Sequence, residues 1–285
     1  MLFESMDVSI AVQIPLGPIE RMGYQYNTAL VLENMAHYFD HVLVISNSPE
    51  TTSLPFSSEK LEFISGPSEW PSDSGSCAAR FDLEQIHRNN DRGLALLADR
   101  GFDICIQGDI LQYLDDQNAE KLYSLCKEMV RNGRAWEYKY RGFQILDRIY
   151  VPSLRGARII NLHFFEKGKM RLRADQLEVG DQIFRAERGM FHDAPCFFID
   201  IYPPLWTEDD YQEKYDYYLI KIDEFYDKPP RERSWNAHLA ADLRKAQAQT
   251  RIHNYKLSDW GERALANLPS DSPIRNWSSI LQEEN

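Results

Sequence analysis

The amino-acid sequence predicts an α/β fold: a single domain with a mainly parallel central sheet flanked by helices, followed by a C-terminal helical extension. Strand-like apolar runs alternate with amphipathic helical segments over residues 8–202, and this order builds parallel sheets through helical crossovers. Residues 209–285 then have helical patterning, acidic at first and basic afterwards. Pro203-Pro204 closes the α/β part, so we place the domain at residues 1–205 and the extension at residues 206–285.

The chain begins with a strand, a helix and a second strand. Residues 8–14 carry apolar side chains at every second position, which predicts a strand. The prolines and glycine of Pro15-Leu16-Gly17-Pro18 prevent a helix from starting there. Residues 24–39 repeat apolar side chains at helical spacing, and residues 41–45 form a short β-branched run. We therefore predict a right-handed βαβ unit.

A second unit follows, with a weaker strand at residues 61–65, a helix over 83–100 and a buried strand at 102–106. Gly101 is the predicted stop of the helix. Asn90 interrupts the apolar stripe of this helix. Because a buried amide needs hydrogen-bond partners, Asn90 either braces a neighbouring loop or faces a ligand.

The second half of the α/β part is predicted to be a helix followed by strands. Residues 118–130 have helical spacing, after which aromatic and basic residues alternate in strand-like runs. These runs are residues 136–140, 148–151, 157–161, 169–173 and 195–202.

Composition limits the partners of the protein. The chain of 285 residues is 43% hydrophobic and carries a formal net charge of -12 at pH 7. Binding to nucleic acid depends on basic patches that neutralise phosphates, so we expect no nucleic-acid partner. A phosphorylated substrate would need local Arg or Lys side chains or a divalent cation.

The sequence predicts a cytoplasmic protein. No basic, apolar leader is visible at the N-terminus, and no apolar run approaches the roughly 20 residues of a transmembrane helix, which leaves peripheral membrane contact open. The four cysteines are scattered without a CxxC pair, as is typical of proteins from a reducing compartment.

The most informative stretch is Gln107-Gly108-Asp109, at the exit of the predicted strand 102–106. Open α/β sheets bind ligands where their strands end, and glycine beside the acid lets a phosphate or metal approach the backbone. Mg²⁺ or Mn²⁺ on Asp109 would hold a diphosphate, because both ions favour carboxylate and phosphate oxygens. The alternative is that Asp109 only caps the turn after a core strand.

The order of these segments resembles that of the GT-A-fold glycosyltransferases of the family-2 type. The resemblance covers roughly residues 8–202. It is closest to a subgroup in which a Gln-Ala-Asp-Glu strand exit replaces the commoner Asp-x-Asp. Its residues here are Arg88-Asn89-Asn90-Asp91-Arg92-Gly93, Gln107-Gly108-Asp109 with Ile110 in place of a second acid, Arg158-Ile159-Ile160-Asn161, and Gly180-Asp181-Gln182-Ile183-Phe184-Arg185.

This resemblance implies a site for a nucleotide-sugar donor of the UDP or GDP type. It places the nucleotide at the exits of the first two strands and the diphosphate at the exit that carries Asp109, with Mn²⁺ or Mg²⁺ as cofactor. His192, in the turn before the last predicted strand, is a second candidate metal ligand. The implied donor-binding residues are Pro15, Gly17, Asn47, Asn90, Gln107 and Asp109.

Glycosyl transfer with inversion needs a carboxylate that takes the proton of the acceptor hydroxyl. Asp181 and Asp193 are the two candidates. We favour Asp181, because it lies where the resemblance puts the later acid and has Gly180 beside it.

The function implied is a hexosyltransferase-like glycosyltransferase of polysaccharide biosynthesis, which moves a sugar from a nucleotide-sugar to a glycan, a lipid-linked acceptor or another hydroxyl. One alternative is a catalytically silent GT-A-like binding or assembly module, because Ile110 removes the second acid. The other is a different nucleotide-binding α/β enzyme, such as a methyltransferase or dehydrogenase. Against it, the first strand exits into Pro15-Leu16-Gly17-Pro18 without the GxGxxG loop that such folds use.

Overall fold

A computed structural model of the chain has the predicted mixed α/β fold, with a central, mostly parallel sheet flanked by helices. An eight-stranded sheet and a separate three-stranded sheet make up the strand content of the described residues. The structure describes residues 8–16, 25–46, 56–66, 83–110, 112–144, 150–165, 170–173, 176–185, 198–201 and 258–267.

The elements up to residue 131 follow the predicted order with small shifts at their ends, apart from a strand at 112–113 that was not predicted. Beyond it, the predicted strands 148–151 and 157–161 are one strand, and strands at 176–179 and 182–185 were not predicted. The helices are α1 (Gln25–Tyr38), α2 (Leu83–Asp99), α3 (Asp116–Arg131) and α4 (Asp259–Ala266), with a 3₁₀ turn at Leu162–Phe164. The strands are β1 (Ile10–Leu16), β2 (His41–Ser46), β3 (Leu61–Ser65), β4 (Ile104–Gln107), β5 (Gln112–Tyr113), β6 (Trp136–Gln144), β7 (Tyr150–Asn161), β8 (Met170–Arg173), β9 (Gln176–Val179), β10 (Gln182–Arg185) and β11 (Phe198–Ile201).

The large sheet has the strand order β3-β2-β1-β4-β7-β6-β11-β5. Its first four strands are parallel to one another, and β6 is parallel to β11. The pairs β4–β7, β7–β6 and β11–β5 are antiparallel. Because β1–α1–β2 and β3–α2–β4 cross the sheet in opposite directions, right-handed connections put α1 and α2 on opposite faces.

The small sheet, in the order β10-β9-β8, covers the outer side of α2. The amide nitrogen of Leu172 in β8 donates to Asp91 Oδ1 of α2 at 3.1 Å. Apolar residues from α2, from the small sheet and from the large sheet form one cluster, which includes Leu97, Leu172 and Cys105. The helix α2 is therefore buried between two sheets.

Two helix ends have clear causes in the sequence. Gly101 follows α2 with φ of 82°, a conformation that glycine adopts at little cost, and this confirms the predicted stop. Helix α3 begins two residues before the predicted position, because the Asp115 side chain accepts a hydrogen bond from Asn118 N at 2.8 Å and so caps the first turn.

Part of the predicted C-terminal extension is described, and it packs on the α/β fold. The rings of Trp260 in α4 and His37 in α1 have centroids 5.9 Å apart. Arg263 Nη2 lies 2.6 Å from Glu33 Oε2. The predicted boundary at residues 205 and 206 falls in the interval 202–257, which lies outside the described residues.

Within the described part of the chain, none of the helices is both long enough and apolar enough to cross a membrane.

Candidate functional site at the ends of β1 and β4

The neighbouring strands β1 and β4 mark the point where the strand order of the sheet reverses. From β1 the chain goes through α1 to β2, whereas α2 returns it across β2 and β1 to β4. In open α/β sheets, the crevice beyond the carboxyl ends of two such strands is the usual ligand site. Pro15 and Leu16 end β1, and Gly108 and Asp109 follow β4, so these residues border the crevice.

A pair of glutamines lies beneath this crevice. Gln13 of β1 and Gln107 of β4 are direct partners in the parallel register, and Gln13 Nε2 donates to Gln107 Oε1 at 2.7 Å. Gln13 has an exposed fraction of 0%, and Gln107 retains 8%. A polar link between two core strands is unusual, because apolar side chains would fill the same space without needing partners.

Gly93 of α2 makes room for the Gln13 carboxamide. A Cβ atom on Gly93 would come within 1.9 Å of Gln13 Oε1 and 2.8 Å of Ile45 Cδ1. Such a contact is far closer than van der Waals distance, so the helix and Gln13 can approach only because this residue is glycine. Gly93, the last residue of the segment Arg88–Gly93, is therefore required by packing.

Two further carboxamides, Asn89 and Asn90, lie one helical turn before Gly93, on the same side of α2. Because α2 runs opposite to the parallel strands, this turn takes them about 5 Å closer to the carboxyl ends of those strands. Their exposed fractions are 0% and 1%. We call Gln13, Asn89, Asn90 and Gln107 the amide cluster.

Several atoms of the amide cluster have no hydrogen-bond partner among the residues that the structure describes: Gln13 Oε1, Asn89 Oδ1, Asn89 Nδ2 and Asn90 Oδ1. Leaving a buried polar atom unpaired costs about 1–3 kcal/mol. Native cores avoid such costs unless a water, a ligand or a function accounts for the groups. The amide cluster therefore offers buried donors and acceptors to an additional partner.

Asp109 stands in a turn that is held to β1 through its neighbours. The amide nitrogen of Gly108 donates to Gln13 O at 2.9 Å, and Gln112 N donates to Asp109 O at 3.1 Å. A Cβ atom at Gly108 would lie 2.8 Å from Val12 Cγ2, so Gly108 also allows β4 to end close against β1. Asp109 itself is partly exposed, as a ligand-binding carboxylate must be.

Two nearby side chains are chemically inert. Ile110 is buried, so the position where a second acid was expected adds an apolar group to the core. Burial also raises the pKa of the Cys105 thiol far above its usual range. Cys105 stays protonated at neutral pH, which excludes it as a nucleophile.

The described residues fit a divalent cation only with help from a ligand. None of the described His, Cys, Asp and Glu side chains come together in a group of three that could hold a metal. At the exit of β4, Asp109 is the acidic side chain that could ligate a cation. Mg²⁺ can be held between one carboxylate, substrate phosphates and waters.

The structure brings some of the predicted site residues together. Pro15, Asn90, Gln107 and Asp109 lie on β1, α2 and the exit of β4, around the same end of the sheet. Asp181 is exposed and lies in the β9–β10 turn beside Gly180, whose φ is 58°, in the other sheet. Outside the described residues are Gly17, Asn47, His192 and Asp193.

The sequence interpretation missed Gln13 and Asn89 as residues of this region. Gln13 alternates with the apolar residues Val12 and Ile14, so it belongs to the face of β1 that was not identified as buried. A polar residue in a strand covered on both faces is the signal that could have revealed it. Asn89 belongs to the segment Arg88–Gly93 of the resemblance, but its position gave no sign that it is buried.

Comparisons with known proteins give structural likeness only. Neither protein-family descriptions nor curated protein sequences match the chain. The structure of S. aureus TarS 1-349, alone and in complex with UDP-GlcNAc, is similar at 10% identity and a TM-score of 0.38, covering 97% of this chain and 91% of that one. The bifunctional IspDF from Campylobacter jejuni is similar at 12% identity and a TM-score of 0.28, covering 56% of this chain and 42% of that one. Likenesses this remote do not bear on activity.

Proposed function

We propose that this protein is a glycosyltransferase that binds a nucleotide-sugar donor at the carboxyl ends of β1 and β4. The observation that carries the proposal is the position of Asp109, at the strand-order reversal of the sheet and beside the amide cluster. The residue resemblance to the family-2 type, with its Gln-Ala-Asp-Glu subgroup, supplies the reaction class. Hexosyl transfer to a glycan or a lipid-linked acceptor is part of the same proposal.

The chemistry of the site suits a neutral heterocycle joined to a diphosphate. Carboxamides offer both donors and acceptors, which match the edges of a nucleobase or the hydroxyls of a ribose. The chain carries a formal net charge of -12, so the diphosphate needs a local cation. Asp109 would hold Mg²⁺ or Mn²⁺, and the cation would supply charge neutralisation for the leaving diphosphate.

The proton of the acceptor hydroxyl needs a base if the anomeric configuration inverts. Asp181 and Asp193 remain the candidates of this proposal. Replacing the true base with asparagine is expected to lower kcat by roughly 100-fold or more, because the interaction is made mainly in the transition state. Donor affinity should hardly change in the same variant, and a radiolabelled transfer assay combined with calorimetry separates the two effects.

The proposal is tested by titrating UDP and GDP, each with and without Mn²⁺, into the wild-type protein and into Asp109→Asn. We expect one nucleotide to bind in a metal-dependent manner to the wild type only. A ligand present at 100 times its Kd should also stabilise the fold by about 2.7 kcal/mol. Asp99→Asn, which changes an exposed acid at the far end of α2, is the matched control. Unchanged binding to Asp109→Asn would show that the assignment is wrong.

A catalytically silent binding module is the second candidate, because the buried Ile110 leaves a single acid at the strand exit. The two functions are separated by a screen of nucleotide-sugars for hydrolysis and transfer. Metal-dependent binding without release of nucleoside diphosphate from any donor would favour the binding module.

A further inference from the structure

One residue of β1, Gln13, is bonded to both residues that precede Asp109. Its backbone oxygen accepts from Gly108 N at 2.9 Å, and its side-chain Nε2 donates to Gln107 Oε1 at 2.7 Å. Gln13 is fully buried, and its side-chain amide group is bonded to Gln107. Its two bonds connect the middle of β1 to the end of β4, immediately before the residue that borders the crevice.

We propose that Gln13 is a positioning residue that orients the Gln107 carboxamide toward the donor site; this inference rests on the proposed function. Because Gln107 Oε1 accepts from Gln13, the Nε2 group of Gln107 is the end left to donate a hydrogen bond. Gln107 is the member of the pair that keeps some exposure, at 8%. A donor fixed beside Asp109 suits the oxygens of a phosphate or a ribose.

The cost of Gln13 argues that its polarity serves function rather than stability. Its Oε1 atom is buried without a partner in the described part of the chain, a destabilising arrangement that a methionine or leucine would avoid. The surrounding residues Ala11, Ile45 and Cys105 form an apolar cluster. Selection for stability alone would place an apolar side chain here, whereas a fixed Gln107 amide requires a donor.

The first test is Gln13→Met, which preserves side-chain length and the backbone bond to Gly108 but removes the donor. We expect the fold to persist, because the substitution conserves volume. With Mn²⁺ present, affinity for whichever of UDP and GDP binds the wild type should fall about tenfold, which corresponds to one lost positioning hydrogen bond. Gln117→Met, at an exposed position of α3, is the control. If Gln13→Met shifts Tm but leaves affinity unchanged, Gln13 has only a structural role.

The second test perturbs the same carboxamide from the opposite side. Gly93→Ala would place a Cβ atom 1.9 Å from Gln13 Oε1 and so displace the side chain while both glutamines remain. Alanine favours the helix more than glycine does, so a weaker helix is not the cause of a loss of affinity. A shift of α2 itself would lower affinity further even when residue 13 is methionine, which the double variant detects. The double variant Gly93→Ala with Gln13→Met should lose no more affinity than either single variant. If the affinity loss of the double variant equals the product of the two single losses, the inference is overturned.

A measurement without ligand separates this inference from the proposed function. The side-chain amide of Gln107 should give one sharp pair of NMR signals in the wild type, and these signals should broaden or move in Gln13→Met and in Gly93→Ala. If neither UDP nor GDP binds the wild type in the presence of Mn²⁺, the proposed function fails, and the NMR result alone decides the role of Gln13. Unchanged Gln107 signals in both variants would overturn that role whatever the binding result.

Discussion

Asn34 of α1 holds the segment that follows the candidate site, and its removal should be strongly destabilising. The Asn34 side chain makes two hydrogen bonds to one residue: its Nδ2 donates to Leu114 O at 2.8 Å, and its Oδ1 accepts from Leu114 N at 2.8 Å. Both residues are buried. The carboxamide therefore acts as a substitute for a neighbouring strand at the end of β5.

The magnitude follows from these two bonds. Asn34→Ala leaves the amide and the carbonyl of Leu114 unpaired in the interior. Each buried unpaired group costs about 1–3 kcal/mol, so we expect a loss of about 4 kcal/mol in the free energy of unfolding. That is a large part of the stability of an ordinary domain, about 5–15 kcal/mol, and it corresponds to a Tm decrease of about 10 °C.

The assay is urea denaturation followed by circular dichroism, with Asn132→Ala as the control. Asn132 is an exposed asparagine at the end of α3 whose side chain makes one weak bond, to Glu128 at 3.4 Å, so its loss should cost about 0.5 kcal/mol or less. If the two variants are equally stable, water pairs Leu114 after the substitution and the reasoning from buried bonds is wrong.

A second substitution at the same position adds a pH signature. Asn34→Asp keeps the acceptor for Leu114 N but places a carboxylate against Leu114 O, so burial should raise the pKa of the introduced acid in the folded state. A group with a raised folded pKa loses its contribution as pH rises through that pKa. The stability deficit of Asn34→Asp relative to wild type should therefore shrink as pH falls, whereas that of Asn34→Ala should not.

Two further outcomes are expected near the amino ends of the parallel strands, on the side of the sheet away from the candidate site. Gly101→Ala should cost about 1 kcal/mol in urea denaturation, because φ of 82° strains alanine although a Cβ there meets nothing within 4 Å. Burial lowers the pKa of His41 below 6.5, and Arg100 holds the pKa of Glu62 below 4.5. The stability due to His41 should thus be complete above pH 6.5 and decline below it, and that due to Glu62 should be lost only below pH 4.5. In thermal scans across pH, His41→Gln should remove the change in Tm below pH 6.5, and Glu62→Gln should remove the change in Tm below pH 4.5.

The parallel half of the fold could be predicted from sequence because local patterns and tertiary burial agree there. Residues 61–65 were identified as a strand with the observed bounds of β3. The sequence also predicted a strand at 102–106, the glycine stop before it and the position of Asp109 after it. These features could be predicted because a buried parallel strand is a continuous apolar run with sharp ends. In such segments the local sequence pattern is enough to predict the element.

The mixed half could not be predicted to the same degree, because its strands depend on partners distant in sequence. Predicted strands at 148–151 and 157–161 are parts of one strand, β7, which includes Pro152 and Gly156. These two residues normally mark breaks. The strand β5 has two residues, paired with β11, and so short a segment has no periodicity to detect. Its state is decided by the neighbouring chain.

The candidate site shows the same division between local and non-local causes. Asp109 could be proposed from the sequence because a glycine and an acid closely follow an apolar run. Gln13 could not be proposed in the same way, because its environment depends on three features of the tertiary structure. Gln107 lies beside it in register, Gly93 leaves room for its side chain, and both faces of β1 are covered. A buried unpaired amide is a local violation of good packing, and such violations concentrate at functional positions. The residues that a sequence pattern explains least are for this reason the ones that the structure makes most informative about function.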